Sequence, residues 1–100
     1  MPWVYILRCG DNTFYVGHTD DIDARLHRHR TGQGANHTAL RLPVDLAYTE
    51  EFSSIDEAIR REHQLKRWSA QKKAALIDGD FATLKRLARR RKGSSSKVTT

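Results

Sequence analysis

The chain has 100 residues, of which 38% are hydrophobic and 30% are charged, and this size and composition exclude a second independent domain. Lysine and arginine number 18 against 12 acidic residues, so the net charge of +6 favours a polyanionic partner such as nucleic acid, with an anionic membrane surface as the alternative. The longest apolar run, Trp3–Leu7, is too short to span a bilayer, and the single cysteine excludes an intramolecular disulfide. These features predict a cytoplasmic protein with nucleic acid, and no membrane, as its partner.

A β-hairpin is predicted at the start of the chain. The segments Trp3–Arg8 and Thr13–Gly17 are rich in β-branched and aromatic residues, and the residues between them have turn chemistry. If the turn centres on Gly10, Tyr5 lies opposite Tyr15 and the two phenols share one face of the hairpin. An ordinary cross-strand aromatic pair gives the same pattern.

A helix, a loop and a strand follow the hairpin. Acidic residues that suit a helix N-terminus precede an apolar repeat of helical spacing, and they predict a first helix over roughly Asp21–Arg30. The segment Gln33–Pro43 has no sustained period and is predicted to be a loop. The segment Val44–Phe52 alternates through Leu46 and Tyr48 and is predicted to be a third strand.

Helices are predicted for the remaining chain. A candidate capping box at Ser54 begins a second helix that runs to about Trp68. Ser69 and Asp80 are expected to cap two shorter helices, the first of which ends before Gly79. The residues expected to face inward on the last helix are Phe81, Leu84, Leu87 and Ala88. The element order predicts an α+β fold with a small three-stranded, mainly antiparallel sheet flanked by helices.

Positive charge is concentrated in the second half of the chain. Residues 1–50 carry 5 basic and 6 acidic residues, whereas residues 51–100 carry 13 and 6. The arginine-rich stretch Lys85–Lys92, which we term the arginine-rich terminal helix, is either a nucleic-acid contact or a solvated helix face. The residues predicted to contact nucleic acid are Lys66, Arg67, Lys72, Lys73, Lys85, Arg86, Arg89 and Arg90. One domain is expected over 1–92, with a disordered tail at 93–100, where apolar residues almost vanish.

Three charged or polar residues fall on or beside apolar helix faces. At 100° per residue from Ile22, Arg25 and His29 border the core-facing stripe, and Glu62 falls in the middle of the apolar face of its own helix. A buried carboxylate is costly unless it is paired or bound to a metal. Glu62 is therefore either half of an ion pair, with Arg25 or another cation, or a metal ligand.

Several cofactor and catalytic signatures are absent from the sequence. It contains no GxxxxGK[ST], GxGxxG or GxSxG motif, which excludes the phosphate-loop, dinucleotide and serine-hydrolase classes and predicts no nucleotide cofactor. The histidines lack the spacing of a zinc site.

Four short sequence motifs follow one another along most of the chain. They are Trp3-Val4-Tyr5, Tyr15-Val16-Gly17-His18-Thr19, Arg25-Leu26-His27-Arg28-His29 and Glu62-His63-Gln64-Leu65-Lys66-Arg67-Trp68. In this order and spacing they resemble the GIY-YIG nuclease domain over roughly Pro2–Ile77, and in particular its small stand-alone bacterial members. The first motif is Trp-Val-Tyr and the second is Tyr-Val-Gly, and both keep the tyrosine of the family pattern.

The resemblance implies a divalent-metal-dependent endonuclease that hydrolyses phosphodiester bonds in structured or damaged DNA. The residues that it places in catalytic positions are Tyr5, Tyr15, His18, Arg25, His29 and Glu62. Among them, Glu62 would hold one Mg²⁺ or Mn²⁺ ion, the tyrosines would activate water and Arg25 would clamp a phosphate. A hard cation suits a single carboxylate because water and phosphate oxygens complete its shell.

The alternative function is a catalytically weak or inactive nucleic-acid-binding module of the same fold. Many family enzymes have an asparagine downstream of the metal-binding glutamate, whereas this chain has none after Asn36. A third class is a membrane-surface or protein-interaction module that uses the arginine-rich terminal helix. Cleavage that requires both metal and Tyr5 would exclude the binding-only classes.

Overall fold

The computed structural model describes residues 1–88. Its strands and helices are β1 (Trp3–Cys9), β2 (Phe14–Thr19), α1 (Ile22–Arg30), α2 (Asn36–Ala39), β3 (Val44–Glu51), α3 (Ile55–Lys66) and α4 (Ala70–Asp78), followed by a helical segment over 81–88. The predicted α+β fold is confirmed. The described chain divides into two compact units between residues 67 and 68, and the sheet belongs to the first. The single domain expected over 1–92 stays a prediction, and Arg89, Arg90 and the expected tail lie outside the described residues.

The three strands form one antiparallel sheet in the order β2-β1-β3. Strand β1 lies in the centre, and its residues Val4–Leu7 are all buried. A strand covered on both faces is expected to be an unbroken apolar run of this kind, instead of an alternating one. Within residues 1–88, no helix combines the length and apolar character that a membrane crossing requires.

The two faces of the sheet are covered by different helices. Helix α1 lies on the face of Tyr5, whose hydroxyl contacts His29. Helix α3 lies on the opposite face, where Glu62 contacts His18. The edge strand β2 is therefore flanked on both sides by polar side chains from helices.

The hairpin register differs by two residues from the predicted one. Tyr5 pairs with Gly17, so the prediction that it lies directly opposite Tyr15 is wrong. The reason is the turn, in which Asn12 adopts a left-handed φ of 66° and moves the centre one residue beyond Gly10. A shift of two residues keeps every side chain on its face, so the two tyrosines still share a face, with ring centroids 6.5 Å apart.

Strand β3 contains an irregularity that interrupts the predicted alternation. Ile6 pairs with Tyr48, whereas its neighbour Leu7 pairs with Leu46, so Ala47 has no partner in β1. Such a bulge adds one residue to one strand and reverses the side-chain alternation beyond it. Leu46 and Tyr48 therefore lie on opposite faces of the sheet, although the strand itself is confirmed.

The first helix is confirmed, but the predicted loop that follows it is wrong in part. The side chain of Asp21 caps α1 by accepting a hydrogen bond from the Ala24 N–H. The segment Gln33–Pro43 contains the one-turn helix α2. Four residues are too few to produce a helical period in a sequence, and the N-cap residue Ala35 has no capping side chain.

Helices α3 and α4 have the predicted caps. Ser54 accepts a hydrogen bond from the Glu57 N–H, and Ser69 accepts one from the Lys72 N–H. Gly79 ends α4 in the left-handed conformation with φ of 69°. The buried residues of α3 are Ala58, Glu62 and Leu65, which confirms that a carboxylate lies on its apolar face.

The predicted inward face of the 81–88 segment is wrong in part. Asp80 caps the segment as expected. Leu84 and Leu87 are half-buried, but Phe81 and Ala88 are exposed. The covered face centres near Leu87, and around the helix Ala88 lies about 100° and Phe81 about 120° away from it.

Candidate active site

The ring of Tyr5 passes over strand β2 at a glycine. A Cβ atom built on Gly17 would lie 2.5 Å from the Tyr5 hydroxyl oxygen, which is closer than real Cβ contacts allow. Glycine therefore leaves the space that this ring occupies. Gly17 was not among the predicted site residues. Its place in the second motif, two residues after Tyr15, was the available signal.

A buried chain of hydrogen bonds runs from β1 to α2. The Tyr5 hydroxyl lies 3.0 Å from His29 Nε2, and His29 Nδ1 lies 2.7 Å from Thr38 Oγ1. The Thr38 hydroxyl donates to the Ala35 carbonyl at 3.0 Å. Tyr5, His29 and Thr38 are each no more than 2% exposed. Thr38 was not among the predicted site residues because it lies in the segment predicted to be a loop.

Burial keeps both Tyr5 and His29 neutral at neutral pH. Removal from water, assisted by the positive charges of Arg25 and Arg28, lowers the pKa of His29 below its ordinary value of 6.5. Burial likewise raises the pKa of Tyr5 above 10.0, although the nearby Arg25 guanidinium opposes this shift. A neutral phenol therefore faces a neutral imidazole.

We expect the protein to lose stability as the pH falls below about 6.5. The unfolded chain protonates His29 near the ordinary pKa of 6.5, whereas the folded chain, whose His29 pKa is lower, does so at a lower pH. Between these two pKa values the unfolded state binds more protons, so acidification favours it. Urea unfolding at about pH 7.5 and about pH 5.5 measures the free energy of unfolding at both ends of this range.

The same comparison in two variants assigns the effect to His29. His29→Gln should remove most of the pH dependence in this interval, because glutamine does not titrate. His63→Gln, which changes an exposed residue on α3, should keep it. An unaltered pH dependence in His29→Gln would assign the effect to other groups.

Tyr15 lies in a more open setting than Tyr5. It is half-buried, and its ring centroid is 5.2 Å from that of His29. It lines a cavity of about 200 Å³, which we term the arginine cavity. The lining residues are Tyr15, Arg25, Arg28, His29, Gly34 and Ala35. Two guanidinium groups give this cavity the chemistry of an anion site.

Arg25 contacts the backbone of β2 and a side chain of β1. Its Nη1 atom lies 3.5 Å from the His18 carbonyl oxygen, and its guanidinium faces the Tyr5 hydroxyl. The same side chain lines the arginine cavity. This position differs from the ion pair with Glu62 that the helix pattern left open.

Glu62 is held through both of its carboxylate oxygens. His18 donates from Nδ1 to Oε1, and Lys66 Nζ lies 2.8 Å from Oε2. Burial acts to raise the pKa of Glu62, but the hydrogen bonds from Lys66 and His18 outweigh it and hold this pKa below 4.5. The carboxylate is therefore ionised at neutral pH and already has a cationic partner in Lys66.

The donor set at Glu62 fits a hard divalent ion that takes most of its ligands from water and from the substrate. Residues 1–88 contain no group of three or more His, Cys, Asp or Glu side chains that could enclose a metal. Mg²⁺ commonly binds through one or two carboxylates and takes its other ligands from water and phosphate. The Lys66 side chain is 49% exposed, so it can turn to solvent and leave Oε2 for a cation.

The residues predicted to contact nucleic acid differ in their surroundings. Those that are exposed are Lys66, Arg67, Lys85 and Arg86. Lys72 Nζ lies 4.3 Å from the centre of the Trp68 ring, in a cation–π contact. Lys73 is half-buried, and burial lowers its pKa below 10.5. The exposed residues are therefore the better candidates for phosphate contacts.

Residues from three elements distant in the sequence meet around β2. A connected set of contacts joins the residues predicted at catalytic positions, Tyr5, Tyr15, His18, Arg25, His29 and Glu62. Residues 1–75 match a family model described as the GIY-YIG catalytic domain. The chain belongs to the GIY-YIG family. Membership of the GIY-YIG family implies a nuclease-type function on nucleic acid.

Bacterial relatives share most of the matched region. The UPF0213 protein SH2523 of Staphylococcus haemolyticus is 46% identical over 76 residues, which are 76% of this chain and 93% of that protein. The UPF0213 protein SSP2268 of Staphylococcus saprophyticus is 44% identical over 75 residues, 75% of this chain and 92% of the relative.

Two solved structures are similar to this GIY-YIG fold. The solution NMR structure of the UPF0213 protein BH0048 from Bacillus halodurans gives a TM-score of 0.51 at 42% identity, covering 78% of this chain and 84% of that one. The solution NMR structure of the protein EF2693 from E. faecalis gives a TM-score of 0.54 at 32% identity, covering 80% and 85%.

Proposed function

We propose that the protein is a divalent-metal-dependent endonuclease that hydrolyses phosphodiester bonds in structured or damaged DNA in the cytoplasm. The observation that carries the proposal is the meeting of a carboxylate, a guanidinium and a phenol around β2. Glu62, Arg25 and Tyr5 belong to α3, α1 and β1 respectively. Phosphodiester hydrolysis needs these three chemistries: a site for a cation, a clamp for phosphate charge and a group that handles protons.

Arg25 and the arginine cavity would bind the phosphate. A guanidinium donates two parallel hydrogen bonds to phosphate oxygens, and it neutralises the charge that grows on them in the transition state. Arg25 is half-buried, and its contacts with the His18 carbonyl and Tyr5 restrict its position before substrate arrives. Because the position of this side chain is already restricted, less free energy is lost in ordering it when substrate binds.

Exposure assigns different roles to the two tyrosines. Tyr15 lines the arginine cavity, so its hydroxyl is the phenol that would orient and activate the attacking water. Tyr5 is 2% exposed and would act through Arg25 and His29 as a positioning residue.

Glu62 would hold the divalent ion, with His18 fixing the direction of the carboxylate. A bound Mg²⁺ or Mn²⁺ ion would supply positive charge and would lower the pKa of a water molecule. In the reaction the water oxygen would form a bond to phosphorus and lose one proton. One ester P–O bond would break with its electron pair on the departing oxygen, which would take up one proton. Lys66 would turn to solvent when the ion binds.

Cleavage assays on linear, nicked and branched DNA with Mg²⁺ or Mn²⁺ test the proposal. We expect cleavage that requires the metal and that Tyr15→Phe slows by about a hundredfold or more, the usual contribution of acid–base catalysis. Tyr48→Phe is a matched control, because it removes a hydroxyl that bonds Glu50 outside the site. Binding of DNA without cleavage would support the non-catalytic nucleic-acid-binding module instead.

A further inference from the structure

The contacts of the Thr38 hydroxyl favour one of the two positions for the proton of His29. A hydroxyl has one proton to donate, and that of Thr38 is directed at the Ala35 carbonyl at 3.0 Å. The Thr38 oxygen is therefore the acceptor in its 2.7 Å contact with His29 Nδ1. A neutral imidazole with its proton on Nδ1 has a lone pair on Nε2.

The contacts continue from His29 through the Tyr5 hydroxyl to Arg25. Since Nε2 is then an acceptor, the Tyr5 hydroxyl donates a hydrogen bond to it, with 3.0 Å between the oxygen and the nitrogen. The lone pairs of the Tyr5 oxygen then point away from His29, and Arg25, which has only donors, is the cation beside that oxygen. If His29 carried its proton on Nε2, the imidazole and Arg25 would both donate to the one Tyr5 oxygen.

The backbone around Thr38 fits closely against His29. A Cβ atom on Gly34 would overlap His29 Nδ1, so this glycine lets the 33–38 segment approach the edge of the imidazole. Thr38 itself is 0% exposed, although it belongs to a helix of one turn. A polar side chain at such depth has a definite partner, because an unsatisfied buried group is costly.

We propose that Thr38 is a positioning residue that sets the tautomer of His29 and, through the Tyr5 hydroxyl, the placement of Arg25 at the phosphate site. The consequence for cleavage rests on the function proposed above. The tautomer of His29 is a property of the folded protein and is measured without substrate.

The ¹⁵N chemical shifts of the His29 ring nitrogens in the full chain test the first step. We expect a protonated Nδ1 and an unprotonated Nε2 in the wild-type protein and in Thr38→Ser, which keeps the hydroxyl. Thr38→Val replaces the hydroxyl by a methyl group and removes the acceptor, so this pattern of shifts should be lost. A wild-type proton on Nε2, or a Thr38→Val spectrum identical to that of the wild type, would overturn the proposal.

Cleavage kinetics test the second step. We expect Thr38→Val to lower kcat by roughly tenfold to a hundredfold with little change in KM, which is the range for groups that orient a functional imidazole, and Thr38→Ser to restore it. Thr31→Val is the control, since the Thr31 hydroxyl bonds the backbone carbonyls of His27 and Arg28 and does not contact the His29 ring. Equal losses of kcat in Thr38→Val and Thr31→Val would indicate general destabilisation and overturn the proposal.

The two steps separate the failure of this proposal from failure of the proposed function. A wild-type protein that cleaves no DNA with either metal contradicts the endonuclease, and the ¹⁵N shifts still decide whether Thr38 sets the tautomer. A wild-type protein that cleaves DNA while Thr38→Val changes the tautomer and keeps full kcat contradicts the coupling from Thr38 to Arg25, with the endonuclease retained.

Discussion

Glu62→Gln is expected to abolish metal-dependent cleavage in a protein that still folds and binds DNA. The amide keeps the shape of the carboxylate but lacks the charge that a hard divalent ion requires. The charge stabilisation that a metal ion supplies is worth several kcal/mol, so the rate should fall by more than about a hundredfold. Cleavage rates and a Mn²⁺ titration of both proteins measure the two effects.

Thermal unfolding without metal distinguishes the two interpretations of Glu62. The side chain of its partner Lys66 is 49% exposed and becomes solvated once the carboxylate is gone, so we expect a cost of about 1 kcal/mol or less. Glu50→Gln is a matched control, since Glu50 also pairs with a basic side chain, that of Arg61 at 3.0 Å. A large fall in Tm with unchanged Mn²⁺ binding and cleavage would show that Glu62 is half of a structural ion pair and not a metal ligand.

Arg25→Ala should slow cleavage far more than it weakens DNA binding. A clamp aimed at charge that develops in the transition state lowers the barrier selectively, and loss of one such contact costs roughly 3 kcal/mol, about a hundredfold in rate. Arg25→Lys should restore little, because lysine lacks the planar fork that serves phosphate, Tyr5 and the His18 carbonyl together. Single-turnover cleavage and DNA binding at one salt concentration give the two quantities.

Arg30→Ala is the control for this experiment. Arg30 lies on the same helix and is exposed, and its removal changes the net charge by the same amount. It should affect binding slightly and the single-turnover rate little. Equal losses of binding and rate in Arg25→Ala would make Arg25 an anchor for bound DNA in the ground state.

Periodicity in the sequence predicted the positions of the helices and strands well, but it predicted the pairing register of the strands poorly. The apolar face of α3 places Glu62 with Ala58 and Leu65, and all three are buried. The hairpin register depends on a left-handed residue in the turn, and Asn12 is one of several residues there that tolerate that conformation. The bulge at Ala47 likewise has no signature in a pattern of period two.

The candidate site could be predicted in part, because helical wheels report burial and not partners. Glu62 was expected to need a cation, but its contact with His18 joins residues 44 positions apart across the sheet. Thr38 gave no signal at all, since a lone threonine in an aperiodic segment is ordinary. Such contacts depend on where the chain returns in space, which a local pattern does not encode.

The hydrogen-bond chain of Tyr5, His29 and Thr38 joins two regions of the fold that we expect to differ in their free energy of local unfolding. Tyr5 is carried by a strand with neighbours along both edges, whereas Thr38 belongs to one helical turn with no side-chain cap. Local opening begins where backbone hydrogen bonds are few, so amide exchange should be much faster in α2 than in β1. Warming would then release the Thr38 end while the sheet is intact, and the proposed cleavage activity would be lost at a lower temperature than the fold.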